Sequence, residues 1–224
     1  MFLFDSKIKG KMGIAKGNGI PYCMGSLSHY GDFMLTHDDI IAILSDSGAL
    51  LKGHFELRSG LHSADFFQCA NLLRYPRLAQ RLCEDLAARI PVDIRNRVTT
   101  VVSPALGGIL VGHEIARALD KTSLFAEKQS DGKLVMRRFA LSPADHVLVA
   151  EDVVTKGGRV QETIDLVRAA GGNVVAIATL VDRSGGAATF DVPHFSAFQM
   201  SPVTWEPSQC PLCKDGGKAI HPGS

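Results

Sequence analysis

The sequence predicts an α/β fold, a mainly parallel sheet covered on both faces by helices, and three observations carry that expectation. Apolar runs of strand length recur at "RVTTVVS", "KTSLFAEK", "HVLVAED" and "NVVAIATLVDR". Helix-length amphipathic segments alternate with them, at "PALGGILVGHEIARALD" and "VVTKGGRVQETIDLVRAAGG". The size also fits: 224 residues, 46% hydrophobic and 21% charged, fill one core and fall short of two large domains.

Taken in chain order, residues 1–33 are rich in Gly, Lys and Ser without sustained periodicity and read as a flexible extension, a tag or an upstream start. The folded domain is expected over residues 34–206. Thr36 is placed to cap a helix, with Asp39 at its third position, Ile40, Ile41 and Leu44 at helical spacing, and an end near Gly48. "GHFELRSGLHSADFFQCANLL" alternates and turns, which predicts two short strands around Ser59 and Gly60. Pro76 opens the next helix, with Leu78, Leu82 and Leu86 along one face. The strand-helix alternation follows, and residues 207–224 form a C-terminal tail carrying "CPLC".

Composition excludes several function classes. The 24 basic and 23 acidic side chains nearly cancel to +1, so no bulk field favours nucleic acid or an anionic membrane. The longest apolar runs, such as "VVAIATLV", fall short of the roughly 20 residues a membrane helix needs, which predicts a soluble protein. Lys7, Lys9, Lys11 and Lys16 interrupt the N-terminus and leave no signal peptide, and five cysteines fit a reducing compartment, so a cytoplasmic location is expected. Cys23, Cys69 and Cys83 read as small hydrophobes. Cys210 and Cys213 look like half of a zinc knuckle, but no second close pair completes four ligands, and a neutral tail is the favoured reading. His54, His62 and His113 read as structural or surface residues.

In parallel sheets ligands sit beyond the carboxyl ends of the strands, which puts residues 103–108, 127–128, 151–159 and 182–183 on one rim. Within "VLVAEDVVTKGGRVQET", Gly157 and Gly158 allow a tight turn into a helix whose free amide N–H groups suit a phosphate, and Thr155 adds a hydroxyl. An ordinary strand-to-helix turn is the competing reading of the glycines alone. Glu151 and Asp152 shift the balance: a carboxylate at the end of an apolar strand is desolvated and calls for sugar hydroxyls or a hydrated divalent cation. The chain has no GxxxxGK[ST], and "GNGIPY" lacks the third glycine and a preceding strand, which removes the nucleotide triphosphatase and dehydrogenase readings.

"VLVAEDVVTKGGRV" resembles the phosphoribosyl pyrophosphate (PRPP) motif of type I phosphoribosyltransferases. "FELRSGLHSADFFQCANLL" is similar to the N-terminal signature of the orotate phosphoribosyltransferase family, and "LVDRSGG" to the strand end carrying its orotate-binding arginine. "SPALGGILVG" resembles its pyrophosphate-side loop, and "FAEKQSDGKLVMRRFAL" occupies the place of its mobile catalytic loop. The resemblance covers residues 35–205. It implies the type I phosphoribosyltransferase fold, with a small N-terminal hood and a mobile loop. It further implies transfer of a phosphoribosyl group from PRPP to orotate, Mg²⁺ bound mainly through PRPP without a firm protein ligand, and a homodimer whose loop acts in trans.

Carried over, the resemblance assigns PRPP to Glu151, Asp152, Val153, Val154, Thr155, Lys156, Gly157, Gly158, Arg159 and Lys128, and the pyrophosphate-side loop to Ser103, Ala105, Leu106 and Gly107. Orotate falls to Arg183, Arg58, Phe66, Phe67 and Thr155, and catalysis to Lys128, Lys133, Glu151 and Asp152. An arginine fork suits the orotate carboxylate, which a neutral purine lacks. Three local alternatives stand beside these: Arg183 paired with Asp182 on the surface, one of Phe66 and Phe67 packed in the core, and Lys133 as a solvated hairpin lysine. Arg58 stands where the family commonly has lysine, and the loop is short, lacks His and has Glu127 where a basic residue is common. Two rival functions remain: a phosphoribosyltransferase for another base, and a PRPP-sensing regulator on the same fold. The regulator is disfavoured because the only basic concentration is the leader and no recognition helix follows it.

Overall fold

Burial of the apolar strands organises the chain. The structure, a computed structural model, describes residues 34–222, and the expected N-terminal extension lies outside the described residues. The elements run α1 (His37–Asp46), β1 (Leu50–Glu56), β2 (His62–Phe67), α2 (Ala70–Leu73), α3 (Pro76–Arg89), α4 (Val92–Arg97), β3 (Thr100–Pro104), α5 (Gly107–Leu119) and β4 (Thr122–Lys128). They continue with β5 (Leu134–Val135), β6 (His146–Val154), α6 (Gly158–Ala169), β7 (Asn173–Asp182), β8 (His194–Gln199), β9 (Thr204–Trp205), a 3₁₀ turn (Pro207–Gln209) and α7 (Pro211–Lys214).

A six-stranded sheet has the order β5-β4-β3-β6-β7-β8. Its strands are parallel except β5, which pairs antiparallel with β4. Every residue of β3 is buried. The two-residue period of β6 divides its side chains between two cores: Val147 and Val149 meet Val160, Ile164 and Val167 of α6, while Leu148 and Ala150 belong to the core holding Leu82, Leu86 and Ile115. A sheet with helices on both faces needs apolar residues at consecutive positions, which is why "VLVA" is unbroken. The mainly parallel sheet flanked by helices is the expected fold class.

The N-terminal elements follow their local signals. Thr36 and Asp39 form a reciprocal capping box, with the Asp39 N–H donating to Thr36 Oγ1 at 3.2 Å and the Thr36 N–H donating to Asp39 Oδ2 at 2.9 Å. Asp85 ties α3 to the start of the domain: it accepts from the Leu35 N–H at 2.6 Å and from Arg89 Nε at 2.6 Å, and Arg89 Nη2 donates to the Leu35 carbonyl at 2.8 Å. A fully buried carboxylate is tolerated because both its oxygens are used.

A second, antiparallel sheet has the order β1-β2-β9 and forms the small hood. The tail beyond residue 206 joins it, since the Glu56 N–H donates to the Ile220 carbonyl at 2.9 Å and the Ile220 N–H donates to the His54 carbonyl at 2.8 Å. The described residues form one compact unit. The pieces α2, α4, β5, β8, β9, the 3₁₀ turn and α7 lie outside the elements that the sequence predicts. These are short pieces, and β8 is a sheet-edge strand in which Ala197 and Phe198 alone are buried.

Candidate active site

Strand β6 runs parallel to β7 with Glu151 beside Thr179 and Val154 beside Asp182, so the carboxyl ends of both strands deliver their polar residues to one edge. Glu151 is 6% exposed. Burial, and then the charge of Asp152 beside it, push its carboxyl up to about 9, so it holds a proton at neutral pH until a partner favours the ionised form. The Asp152 N–H donates to Glu151 Oε1 at 3.0 Å, and the Val153 N–H donates to Asp152 Oδ1 at 2.9 Å.

The first turn of α5 lies over this pair, and glycine makes that approach possible. A Cβ on Gly107 would stand 2.6 Å from Asp152 Oδ2, and one on Gly108 would stand 3.0 Å from Glu151 Oε1. The helix thereby brings amide N–H groups that lack intrahelical acceptors, and the positive end of its dipole, to two acidic side chains. Gly107 was expected at the site. Gly108 was placed on the rim but given no role, because its requirement is steric and arises across space; the Gly-Gly pair opening a helix is its local signal. Leu106 is 84% exposed and Ala105 half-buried on the same loop, whose Ala105–Leu106 peptide is cis. Ser103 is buried within β3, donates to the Leu124 carbonyl at 3.5 Å and packs beneath Gly112, so it supports α5 rather than lining the open edge.

At the start of α6, Gly157 has φ +80°, a left-handed conformation, and a Cβ there would stand 3.0 Å from Phe190. Nothing lies within 4 Å of where a Gly158 Cβ would be, and Thr155 and Lys156 are exposed beside it. This leaves an open helix N-terminus of the kind that takes phosphate. Val153 and Val154 continue β6 into it. Arg159 donates to Glu162 Oε2 at 2.7 Å and to the Gly132 carbonyl at 3.4 Å, while Glu162 Oε1 accepts the Leu134 N–H at 2.8 Å, so the first turn of α6 fastens the β4–β5 hairpin. Lys128 is exposed at the end of β4. Lys133 is exposed in the hairpin turn, where its carbonyl accepts the Gln129 N–H at 2.8 Å and its N–H donates to Asp131 Oδ1 at 3.0 Å. Glu127 accepts from Arg138 Nε at 2.6 Å, which accounts for an acid in that place.

Arg183 follows β7, with its guanidinium carbon 5.7 Å from the centroid of the Phe67 ring. Its Nε is buried with no hydrogen-bond partner, and no ion pair reaches it among the described residues. The alternative of a surface pair with Asp182 fails because that carboxylate is engaged: it accepts from the Ser184 N–H at 2.8 Å, Ser184 Oγ at 2.6 Å and Gln199 Nε2 at 3.2 Å. Phe67 is the core member of its pair, 6.0 Å from Phe198, whereas Phe66 takes the other side of β2 and meets Phe55 at 5.6 Å. Cys69 Sγ lies 3.8 Å from the Asp152 carbonyl, which joins the end of the hairpin to the acidic strand end. Arg58 stands exposed in the β1–β2 turn. The site thus gathers Glu151, Asp152, Gly107, Gly108, Cys69, Phe67 and Arg183.

One expectation is corrected. The CxxC pair does have a second pair of ligand-type residues beside it, His54 and His62, which the antiparallel hairpin brings to the tail.

The phosphoribosyl transferase domain family matches residues 70–212. The chain is 46% identical over 192 residues to the orotate phosphoribosyltransferase of Acidithiobacillus ferrooxidans, covering 85% of this chain and 98% of that protein. It is 45% identical over 190 residues to that of Heliobacterium modesticaldum, covering 85% and 99%. Among solved structures it resembles orotate phosphoribosyltransferase from Aeropyrum pernix, with TM-score 0.61, 24% identity and coverage of 71% and 93%. It also resembles adenine phosphoribosyltransferase from Rhodothermus marinus, with TM-score 0.56, 23% identity and coverage of 71% and 99%. These structural likenesses concern the fold.

Proposed function

The chain belongs to the orotate phosphoribosyltransferase family, and from that premise we propose how its own residues divide the reaction. It transfers the phosphoribosyl group of PRPP to orotate, giving orotidine 5'-monophosphate and pyrophosphate in pyrimidine biosynthesis. The observation that carries the residue assignment is a pair of acids at the end of β6 beside an arginine without a counter-ion at the end of β7.

The open N-terminus of α6, with Thr155, Lys156, Gly157, Gly158 and Arg159, receives the 5'-phosphate through amide N–H groups. Departure of pyrophosphate leaves positive charge on the ribose ring. Glu151 and Asp152 accept hydrogen bonds from the ribose hydroxyls and stabilise that charge, which is also the partner that favours ionised Glu151. Lys128, with the amides of Ala105, Leu106 and Gly107, holds the pyrophosphate. Arg183 pairs with the orotate carboxylate while Phe67 fixes its plane from behind. Arg58 and Phe66 complete the hood side of the base site.

The carboxylate pair offers hard oxygen donors, and Gly107 and Gly108 keep the space above it free of side chains, so these residues fit a hydrated Mg²⁺ held mainly through PRPP. When bound, the ion offsets the charge of the leaving pyrophosphate. Exposed Lys133 at the hairpin tip is suited to reach a second copy's site, which supports a homodimer. A near-neutral chain whose described residues contain no helix long and apolar enough to cross a membrane supports a cytoplasmic enzyme acting on small molecules rather than nucleic acid.

The test is pyrophosphate release from PRPP and Mg²⁺ with orotate, uracil, adenine, hypoxanthine or no base, run alongside Arg183→Ala. Release with orotate alone, lost in the variant, is expected. Undiminished orotate turnover by Arg183→Ala would overturn the assignment of the carboxylate to Arg183.

A further inference from the structure

We propose that His54, His62, Cys210 and Cys213 bind a structural Zn²⁺ that fastens the C-terminal tail to the hood. One ligand atom from each lies within 4.8 Å of the other three. His54 Nε2 is 2.9 Å from His62 Nδ1, 3.4 Å from Cys210 Sγ and 3.6 Å from Cys213 Sγ, and Cys213 Sγ is 3.3 Å from His62 Nδ1. Tetrahedral zinc, with bonds of about 2.0–2.1 Å to nitrogen and 2.3 Å to sulfur, sets its ligand atoms roughly 3.3–3.8 Å apart. Three of these four separations fall in that range, and the 2.9 Å between the two imidazole nitrogens is tighter, so the cluster is close to the size of a zinc site.

The chemistry points the same way. Three polar atoms converge on His54 Nε2, a nitrogen that carries at most one proton, so hydrogen bonding satisfies one of those contacts at a time. A cation at the centre engages all four lone pairs together. Two sulfurs and two imidazoles without a carboxylate favour zinc over magnesium or calcium, and two thiolates neutralise its charge, which suits a site where Cys210 and His62 are buried. All four positions are filled by protein, which makes a closed structural site rather than a catalytic one. Cys210 and Cys213 are free thiols, so neither is lost to a disulfide.

The surroundings hold the ligands in place without the metal. Cys210 lies 156 residues from His54 in sequence. Pairing of His62 with Trp205 and of Ile220 with the backbone at His54 and Glu56 brackets the tail ligands on both sides, and a Cβ on Gly217 would stand 3.3 Å from His54 Nδ1. The hairpin so fixed carries Arg58, Phe66 and Phe67, so the metal steadies the hood while remaining outside the transfer chemistry.

The test uses the untagged full chain, isolated with its thiols reduced, and reads metal rather than activity, so its outcome is independent of the phosphoribosyl-transfer assignment. Elemental analysis is expected to find about one zinc per chain, and replacement by Co²⁺ to give intense tetrahedral d–d bands with thiolate-to-cobalt charge transfer. Cys210→Ser combined with Cys213→Ser should lower the zinc content by roughly tenfold or more. His62→Cys should retain the metal with a cobalt spectrum shifted by the third thiolate. A reduced chain that takes up no zinc against a competing chelator, zinc that survives the double substitution, an octahedral cobalt spectrum, or a Cys210–Cys213 disulfide in the freshly isolated chain would each overturn the proposal. Should the double variant not fold, the cobalt spectrum of the unaltered chain decides.

Discussion

The parallel sheet and the small β1-β2-β9 sheet answer different demands. In the first, the central strands β3, β6 and β7 carry unbroken buried runs, and their carboxyl groups appear only where a strand runs out, at Glu151, Asp152 and Asp182. In the second, β1 is buried only at Leu50 and Phe55, cations such as Lys52 and Arg58 stand in solvent, and the third strand and the bridging tail arrive from the far end of the chain. The large sheet therefore concentrates strained electrostatics at one edge, while the small one depends on distant segments being brought together. Activity should be sensitive to charge in the first region and to attachment in the second.

The largest effect that would break this division is on the acids. Asp152→Asn should lower kcat on the order of 10²–10³-fold with the fold retained, measured by pyrophosphate release and thermal melting. A loss under tenfold would remove the acids from the centre of the mechanism. Arg183→Ala should come next, lowering kcat/KM for orotate by about 2–3 kcal/mol, the range of hydrogen bonds to charged groups, with KM for PRPP unchanged.

A third experiment separates the regions by pH. Glu151 has its folded value raised to about 9, against 4.5 for the unperturbed group. Between these values the unfolded chain has released a proton that the folded chain retains, so stability falls as pH rises from about 4.5 towards 9, at no more than about 1.4 kcal/mol per unit. Glu151→Gln should flatten that slope in denaturant titrations across the range. At the small end, Lys52→Ala removes an ion pair with Asp65 whose lysine is 71% exposed, and should cost less than about 1 kcal/mol. A larger loss would show that the hood, too, relies on its charges.

The same division explains what could be read from the chain. The acidic strand end and the glycine turn into α6 were legible because a buried strand, two acids and the Gly157-Gly158 turn are contiguous, and each constrains the next. The helix at Thr36 was legible from its capping box and the helix at Pro76 from a proline in its first turn. Which phenylalanine enters the core was left open, since it depends on the register of β2 against β1, where Phe67 pairs with Leu50 and Phe66 with Leu51. Gly108 was on the expected rim but had no assigned role, because what it does is leave room for Glu151, 43 positions later in a different element. The cluster of His54, His62, Cys210 and Cys213 was invisible for the same reason at greater range: neither half has a complete ligand set, and only the packing of the tail on β1 unites them.

The engagement of Asp182 has a consequence for selectivity. Its carboxylate is the acidic neighbour of Arg183 in sequence, and Ser184 and Gln199 keep it occupied. They insulate the arginine from an internal competitor that would otherwise occupy it. With orotate assigned to Arg183 as proposed, affinity for an anionic base would be guarded from the outer edge of the sheet, by a glutamine on β8 outside the proposed chemistry.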